Sequence, residues 1–413
     1  MARASNPTVD PALDAAALLR RVGFFGLFVI VPVVAQVARR ATVVLAPIAV
    51  ILLILASAID NRQRPLRPAA TQLLTAPAFL AGILVILWSA LSLIWTPFPG
   101  QATERLLNLI ATILLTLAGY LALPDRMRSA NLYLLPLGVT AAAIVAIMIG
   151  VFGDTLMRGG PEEDNALDRG LTLLALLVWP AVAWLRSRQR DREALAIALV
   201  VAGALAVSPN STQIVALGIG ALAFALTSAR QNLGVVVTAG LSALLLALAP
   251  LLPFVARPVG AALFGPVAPG VLSLKAWQKV VTTEPVRLVT GHGFETALRG
   301  RFVGLLPANA PTTMLFEFWY ELGIVGALAA AFALYASVRR SGRGAPALVP
   351  GAMAAFATAF TIACVGVGLT VMWWLTTLAI TVLVFVSIER GQFRSRRPKV
   401  SLLRRVRDEG NPG

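Results

Sequence analysis

The sequence is poor in charge, cysteine and histidine, and each shortage excludes a class of chemistry. Charged residues make up 13% of the 413 positions, about half the usual share of a globular chain. That excludes a disordered chain and argues against a soluble globular enzyme. A single cysteine, Cys364, excludes an internal disulfide and any cysteine-based metal cluster. A single histidine, His292, excludes a multi-histidine metal site. There is no Walker loop, no dinucleotide fingerprint, no Ser/His/Asp order and no metal-ligand spacing. No cofactor is therefore expected, and a catalyst built on this chain needs a substrate that already carries its own activation. No cleavable signal peptide is expected, because the first 21 residues are polar and mixed and an apolar block follows directly.

What the chain does have is apolar length. Hydrophobic residues are 58% of the total, and the mean hydropathy is +0.81. They fall in blocks of roughly 15 to 25 residues, the length a helix needs to cross a bilayer. The expected fold is all-α and polytopic. About twelve transmembrane helices are expected near 22–38, 41–59, 78–95, 106–123, 133–152, 170–185, 194–208, 213–229, 233–253, 313–337, 345–363 and 367–388. The pair 194–208 and 213–229 also reads as a re-entrant hairpin. A cytoplasmic tail is expected over 1–21, helices one to nine over 22–253, and one large periplasmic loop over 254–312. Helices ten to twelve follow over 313–388, then a basic cytoplasmic tail over 389–413.

Placing both termini in the cytoplasm puts 24 of the 35 Lys and Arg residues inside and 11 outside, as the positive-inside rule requires. The net charge of +16 is then a topology device and an attraction to anionic membrane lipids, not a nucleic-acid signature. The tail from Arg390 to Arg407 reads as a lipid anchor or as a partner site.

A charge at mid-bilayer is costly, so intramembrane charges usually mark function. Here nearly every acid falls in a loop. The exceptions are Glu317 and Glu321, four apart on one face at the start of the tenth helix. Chemistry is therefore expected at the outer interface and not at a mid-membrane relay. In the 153–169 loop, Glu162 and Asp164 read as a solvated acidic stretch or a loose metal pair. Arg169 abuts the next span, placed either to snorkel or to grip a phosphate. The 254–311 loop carries Arg257, Lys275, Lys279, Arg287, Arg299 and Arg301 against Glu284 and Glu295. Lys275 and Lys279 share one face of a short helix over 272–283, and Trp277 points elsewhere. Gly291-His292-Gly293-Phe294 reads as a tight turn whose backbone amides, beside those cations, suit an anion such as a diphosphate. His292 reads as a packed loop side chain or as a general base for neutral pH.

Several stretches, in order, resemble the O-antigen ligase/polymerase superfamily of bacterial inner-membrane glycan transferases. Leu91 to Pro99, with Trp95-Thr96-Pro97, and then Arg105 are similar to the family's Ser-x-x-Trp-Ser-Pro segment and following Arg. Asp168-Arg169-Gly170 leading to Trp179-Pro180 resembles its Asn-Arg-Gly…Trp-Pro helix. Ser208 to Gln213 resembles its Ser-rich helix entry. Lys275-Ala276-Trp277 and Gly291-His292-Gly293-Phe294 resemble its Arg-x-x-x-Trp…Gly-x-Gly-Phe block. Leu315 through Gly323 resembles its Leu-Gln-x-Trp-x-Glu-Leu-Gly helix, and Trp373-Trp374 its last aromatic pair. The likeness covers roughly 80–385.

The resemblance implies a donor glycan on undecaprenyl diphosphate at the periplasmic face of the inner membrane. The acceptor it implies is lipid A–core or another glycan. Arg169, Lys275, Lys279, Arg287 and Arg105 are then the cations for the diphosphate, with Trp277, Phe294, Gly291, Gly293 and Glu321 around the substrate. The chain departs from the pattern at Thr312 and Thr313, where the family has His-Asn, at Glu317, where it has Gln, and at Lys275, where it has Arg. Thr does not abstract a proton at neutral pH, so Glu317, or else His292, is the expected base. Glu317 also reads as an ordinary helix-start acid. Two other functions are kept open. One is a non-catalytic component that binds the lipid-linked glycan among envelope polysaccharide assembly proteins. The other is a transporter, disfavoured because no inverted repeat is evident.

Overall fold

A computed structural model of the protein describes residues 11–60, 75–156, 161–208, 210–368 and 371–392, with side chains except at 153–156 and 161–165. The side chains of Glu162 and Asp164 and the tail beyond Gln392 lie outside it. The described residues form helices and no strands. Among the described residues nine helices are long and apolar enough to cross a membrane, and the protein is a multi-pass helical membrane protein. They are α1 (Pro11–Val34), α2 (Ala41–Ile59), α3 (Pro77–Ile94), α4 (Pro99–Ala122), α5 (Ser129–Phe152), α6 (Pro161–Ser187, apolar from Ala166), α8 (Thr212–Ala229), α14 (Met314–Ser341) and α16 (Met372–Glu389). Between them stand two shorter helices of 17 residues each, α7 (Asp191–Val207) and α15 (Val349–Val365). A bent pair, α9 (Gln231–Ala247) and α10 (Ala249–Phe264), turns by 66° at its break.

Each expected block is helical over most of its length, but 233–253 is broken by the 66° bend after Ala247, and several blocks begin earlier than hydropathy alone implies. The first starts at Pro11, because Pro11–Phe25 is an amphipathic helix that carries Arg20 and Arg21. The fourth starts at Pro99 and not near 106. Proline at the first helical position, as at Pro77, Pro99 and Pro269, loses no hydrogen bond, since the first amides of a helix lack intrahelical partners anyway.

α6 is the axis of the bundle. Its apolar window is 83% buried, against 17% for α3 and α4, which face outward. It packs on α5, α7, α15 and α16. Small residues permit this closeness. Gly351 of α15 sits where a Cβ would lie 2.7 Å from that of Ala183. Trp179 Nε1 donates to Thr358 Oγ1 at 2.8 Å, so the one polar atom of that buried indole is satisfied. α14 packs separately, on α3 and α9.

The connection 254–313 is mostly helical. It contains the end of α10, then α11 (Pro269–Thr283), a single turn α12 (Arg287–Thr290) and α13 (Thr296–Phe302). These elements lie at one end of the bundle, here the loop end. The opposite end carries the termini of α6, α14 and α16 with Arg188, Arg340 and Arg390.

Candidate functional site

The loop end is organised by a break in α14. Thr313 caps the helix, its hydroxyl accepting from Phe316 N at 3.4 Å. Nearly three turns later the helix is interrupted at Gly323, with φ 61° and ψ −161°, a region essentially confined to glycine. The interruption strands the carbonyls that would have bonded to the following turn, and buried carbonyls need partners. Other segments supply them. Tyr320 O accepts from His292 N at 2.8 Å, and Glu321 O from Gly293 N at 3.0 Å. Leu322 O accepts from Trp88 Nε1 at 2.8 Å.

The Gly291–Phe294 turn is thereby docked backbone to backbone. Gly291 has φ 75° and Gly293 φ 100°. A Cβ at Gly291 would collide with Glu321 O, and one at Gly293 would lie 2.6 Å from Thr96 Cα. The other side of the turn is held by α3 and its sequel. Phe294 N donates to Ser92 Oγ at 3.0 Å, and Thr96 Oγ1 donates to Phe294 O at 3.0 Å. Gly291 N donates to Arg287 O at 2.7 Å. All four amides from Gly291 to Phe294 are thus spent inside the protein. The anion cradle expected from the glycine spacing is a structural clasp, because the broken helix, the Ser92 hydroxyl and the Arg287 carbonyl reach the amides first.

His292 lies against both kinds of acceptor. Nδ1 is 3.0 Å from Tyr320 O and Nε2 is 2.9 Å from Glu284 Oε2, while the ring stacks on Tyr320 at 4.0 Å. Both ring nitrogens thus face acceptors of the protein itself.

Beside the turn lies a network of three acids and three arginines. Glu317 and Glu321 share the inward face of α14 and are 4% and 2% exposed; Glu295 is fully buried. Glu295 Oε1 is 3.5 Å from Arg105 Nε and 3.9 Å from Arg299 Nε. Its own backbone is left-handed, with φ 65°, a strain of about 1–3 kcal/mol that surrounding contacts must hold. Arg301 Nη2 is 3.5 Å from Glu317 Oε1 and donates to Pro311 O at 2.9 Å. Burial draws the Arg301 guanidinium below its ordinary value, and the charges of Glu317 and Glu321 oppose that shift. Glu321 Oε1 accepts from Ala297 N at 3.0 Å, while its Oε2 is buried with no hydrogen-bond partner among the described residues. Glu317 presses on Gly368, where a Cβ would lie 2.7 Å from both carboxylate oxygens.

The residues expected from the sequence divide into three groups. Arg105, Gly291, His292, Gly293, Glu317 and Glu321 meet at the break in α14. Trp277 is there too, but buried, its ring 5.7 Å from Phe316. Phe294 is likewise buried. These two aromatics build the wall behind the site. Arg287 is exposed, and lines a small cleft with His292, Glu284 and Tyr320. Lys275 and Lys279 are exposed on the outer face of α11. Arg169 belongs to a different group, donating to Arg39 O at 3.3 Å with its guanidinium 5.3 Å from the Trp373 ring. Glu295, Arg299 and Arg301 carry more of the network than the sequence indicated, where they figured only as loop charges. The signal available was an acid directly after the glycine turn, followed four and six residues later by arginines. Among the described residues no group of three or more His, Cys, Asp or Glu side chains is arranged to hold a metal ion. No family model matches the chain, and no curated protein matches it.

Proposed function

We propose that the protein transfers or polymerises a glycan carried on a polyprenyl diphosphate such as undecaprenyl diphosphate. The reaction lies at the periplasmic face of a bacterial inner membrane. The acceptor is lipid A–core or a growing glycan. One observation carries this reading. Four separated stretches behind the family resemblance, Leu91–Pro99, Arg105, Gly291–Phe294 and Leu315–Gly323, meet beside the buried Glu295.

The chemistry needs an anion site beside a proton acceptor. Arg105 and Arg299 touch Glu295 through Nε and remain 30% and 38% exposed, which leaves their Nη donors for a diphosphate. Arg287, Lys275 and Lys279 add exposed positive charge around the mouth. The acceptor hydroxyl attacks the anomeric carbon of the donor sugar, and the bond from that carbon to the diphosphate oxygen breaks. The diphosphate leaves with the electron pair, stabilised by the guanidinium groups. The hydroxyl proton passes to a carboxylate. Glu317 is that acceptor in our reading, since both nitrogens of His292 face other partners. In the same reading α7, α15 and the bent pair α9–α10 also cross, giving twelve crossings with both termini cytoplasmic.

A second reading is a non-catalytic component that binds the lipid-linked glycan within an envelope polysaccharide complex. Two observations favour it: Thr313 serves as a helix cap where the family has Asn, and Glu317 is already paired with Arg301. The two readings separate in a gene deletion complemented with wild type, Glu317→Gln, Lys275→Ala and Arg169→Ala, with envelope polysaccharide and lipopolysaccharide followed on gels. The transferase reading expects a lost or shortened polymer that Glu317→Gln fails to restore at normal membrane levels. Full restoration by Glu317→Gln removes the base assignment and leaves the binding component. An unchanged polymer in the deletion ends both glycan readings.

A further inference from the structure

At the opposite end of the bundle a groove of about 350 Å³ runs between α14, α15, α16 and α6. It lies well away from the acid–arginine network, since α14 begins at the network and ends at the groove. Its walls are apolar, with Leu176, Ala352, Phe356, Leu378 and Phe385 among them. On α16 the lining runs from Leu378 to Glu389, which at the helical rise is a depth of about 16 Å. The rim is polar, formed by Arg340, Ser341, Gly344 and Glu389. Arg340 and Glu389 are both exposed. Among the described residues the Arg340 side chain makes no hydrogen bond or ion pair, with Glu389 or otherwise.

We propose that this groove binds an anionic phospholipid, with one acyl chain between the helices and the phosphate at Arg340. Three features point to this occupant. The wall lacks the two to four polar partners that an ordered water needs, so inside a bilayer it is filled by hydrocarbon. The rim carries Arg340 with Arg339 and Arg343 close in sequence, against Glu389 alone, so its charge complements an anion. The polar lining of the groove lies where α14 and α16 end, the depth at which headgroups lie, and the apolar lining runs from there toward mid-bundle. Basic pockets between membrane helices are a recognised setting for acidic headgroups. The site is independent of the transferase reading.

The test uses the full-length protein, purified in detergent and delipidated. It is titrated separately with phosphatidylglycerol and phosphatidylcholine, and bound lipids are counted by native mass spectrometry. Wild type is expected to take one phosphatidylglycerol roughly fivefold or more tightly than phosphatidylcholine. Arg340→Gln, at an exposed site that leaves the helix packing alone, is expected to reduce phosphatidylglycerol affinity about fivefold and leave phosphatidylcholine unchanged. Ala352→Phe and, independently, Ala359→Leu fill the groove and are expected to weaken both lipids. Equal binding of the two lipids by wild type overturns the proposal. So does an Arg340→Gln variant with intact preference, or binding that survives both groove-filling variants. Undecaprenyl phosphate binding more tightly than phosphatidylglycerol also overturns it, by assigning the groove to a polyprenyl chain.

Discussion

The two ends of the bundle handle charge in opposite ways. At the loop end Glu295, Glu317 and Glu321 are withdrawn from solvent and balanced by Arg105, Arg299 and Arg301. At the opposite end acids and arginines stay near the surface in separate pairs, Arg20 with Asp60, Arg186 with Asp191 and Arg190 with Glu193, and other arginines rest on carbonyls and rings. Arg188 donates to Gly391 O at 3.0 Å and lies 4.3 Å from the Trp184 ring. Arg390 donates to Leu123 O and lies 4.8 Å from the Tyr120 ring. A buried carboxylate needs a countercharge or a set of donors, because desolvation otherwise neutralises it or unfolds its surroundings. A half-exposed guanidinium needs neither. The loop end is thus a closed electrostatic unit that breaks as a whole, and the opposite end is a set of separable contacts.

That contrast can be broken most severely at Gly323. Gly323→Ala forces a side chain into a glycine-only conformation and against Val289 O. A loss on the order of 3–4 kcal/mol is expected from backbone strain plus the docked hydrogen bonds. It reads as a large fall in thermal stability in detergent, and an unchanged melting curve refutes the docking role. Arg105→Ala removes one of the two arginines that face the buried Glu295 and leaves Arg299 in place. A buried pair broken on one side costs about 3–5 kcal/mol, and the remaining arginine brings the expected loss to roughly half of that. Glu321 sharpens the comparison further. Glu321→Gln keeps an oxygen for Ala297 N and should cost less than about 1 kcal/mol, whereas Glu321→Ala strands that amide at about 1–3 kcal/mol. Equal melting temperatures for these two variants would show that the contact contributes nothing. The smallest effect is expected at the opposite end. Arg188→Ala loses exposed and half-exposed contacts, for about 1 kcal/mol, and its melting temperature should add independently to that of Arg105→Ala.

The sequence made the helices legible because most apolar blocks are long, but it did not show the breaks inside 233–253 and at Gly323. It misplaced the starts of α1 and α4, where Arg20 and Arg21 in the first helix and Glu104 and Arg105 in the other dilute the average hydropathy. It also made the location of the site legible: the glycine turn, Glu317 and Glu321 do meet. What it did not show is how they are used. The partner of Glu295 lies 190 positions earlier at Arg105, a pairing that no local pattern encodes. The fate of the turn amides depended on the break at Gly323, because an intact α14 would have had no carbonyls to give. Lys275 was read by analogy with an arginine that holds substrate, but it stands on the solvent side of a helix whose inner side is Trp277.

The break at Gly323 also changes what counts as the membrane-crossing part of α14. The helix has 28 residues, which as one rod would measure about 42 Å. Only the stretch from 324 to 341 continues past the glycine, and its length is roughly 27 Å, close to the thickness of a bilayer's hydrocarbon. The nine residues before the glycine carry both carboxylates and meet the loop through Gly293, Ala297 and Arg301. A segment that hydropathy reads as one over-long span thus divides into a stretch of ordinary span length and a stretch whose two acids are turned toward the loop.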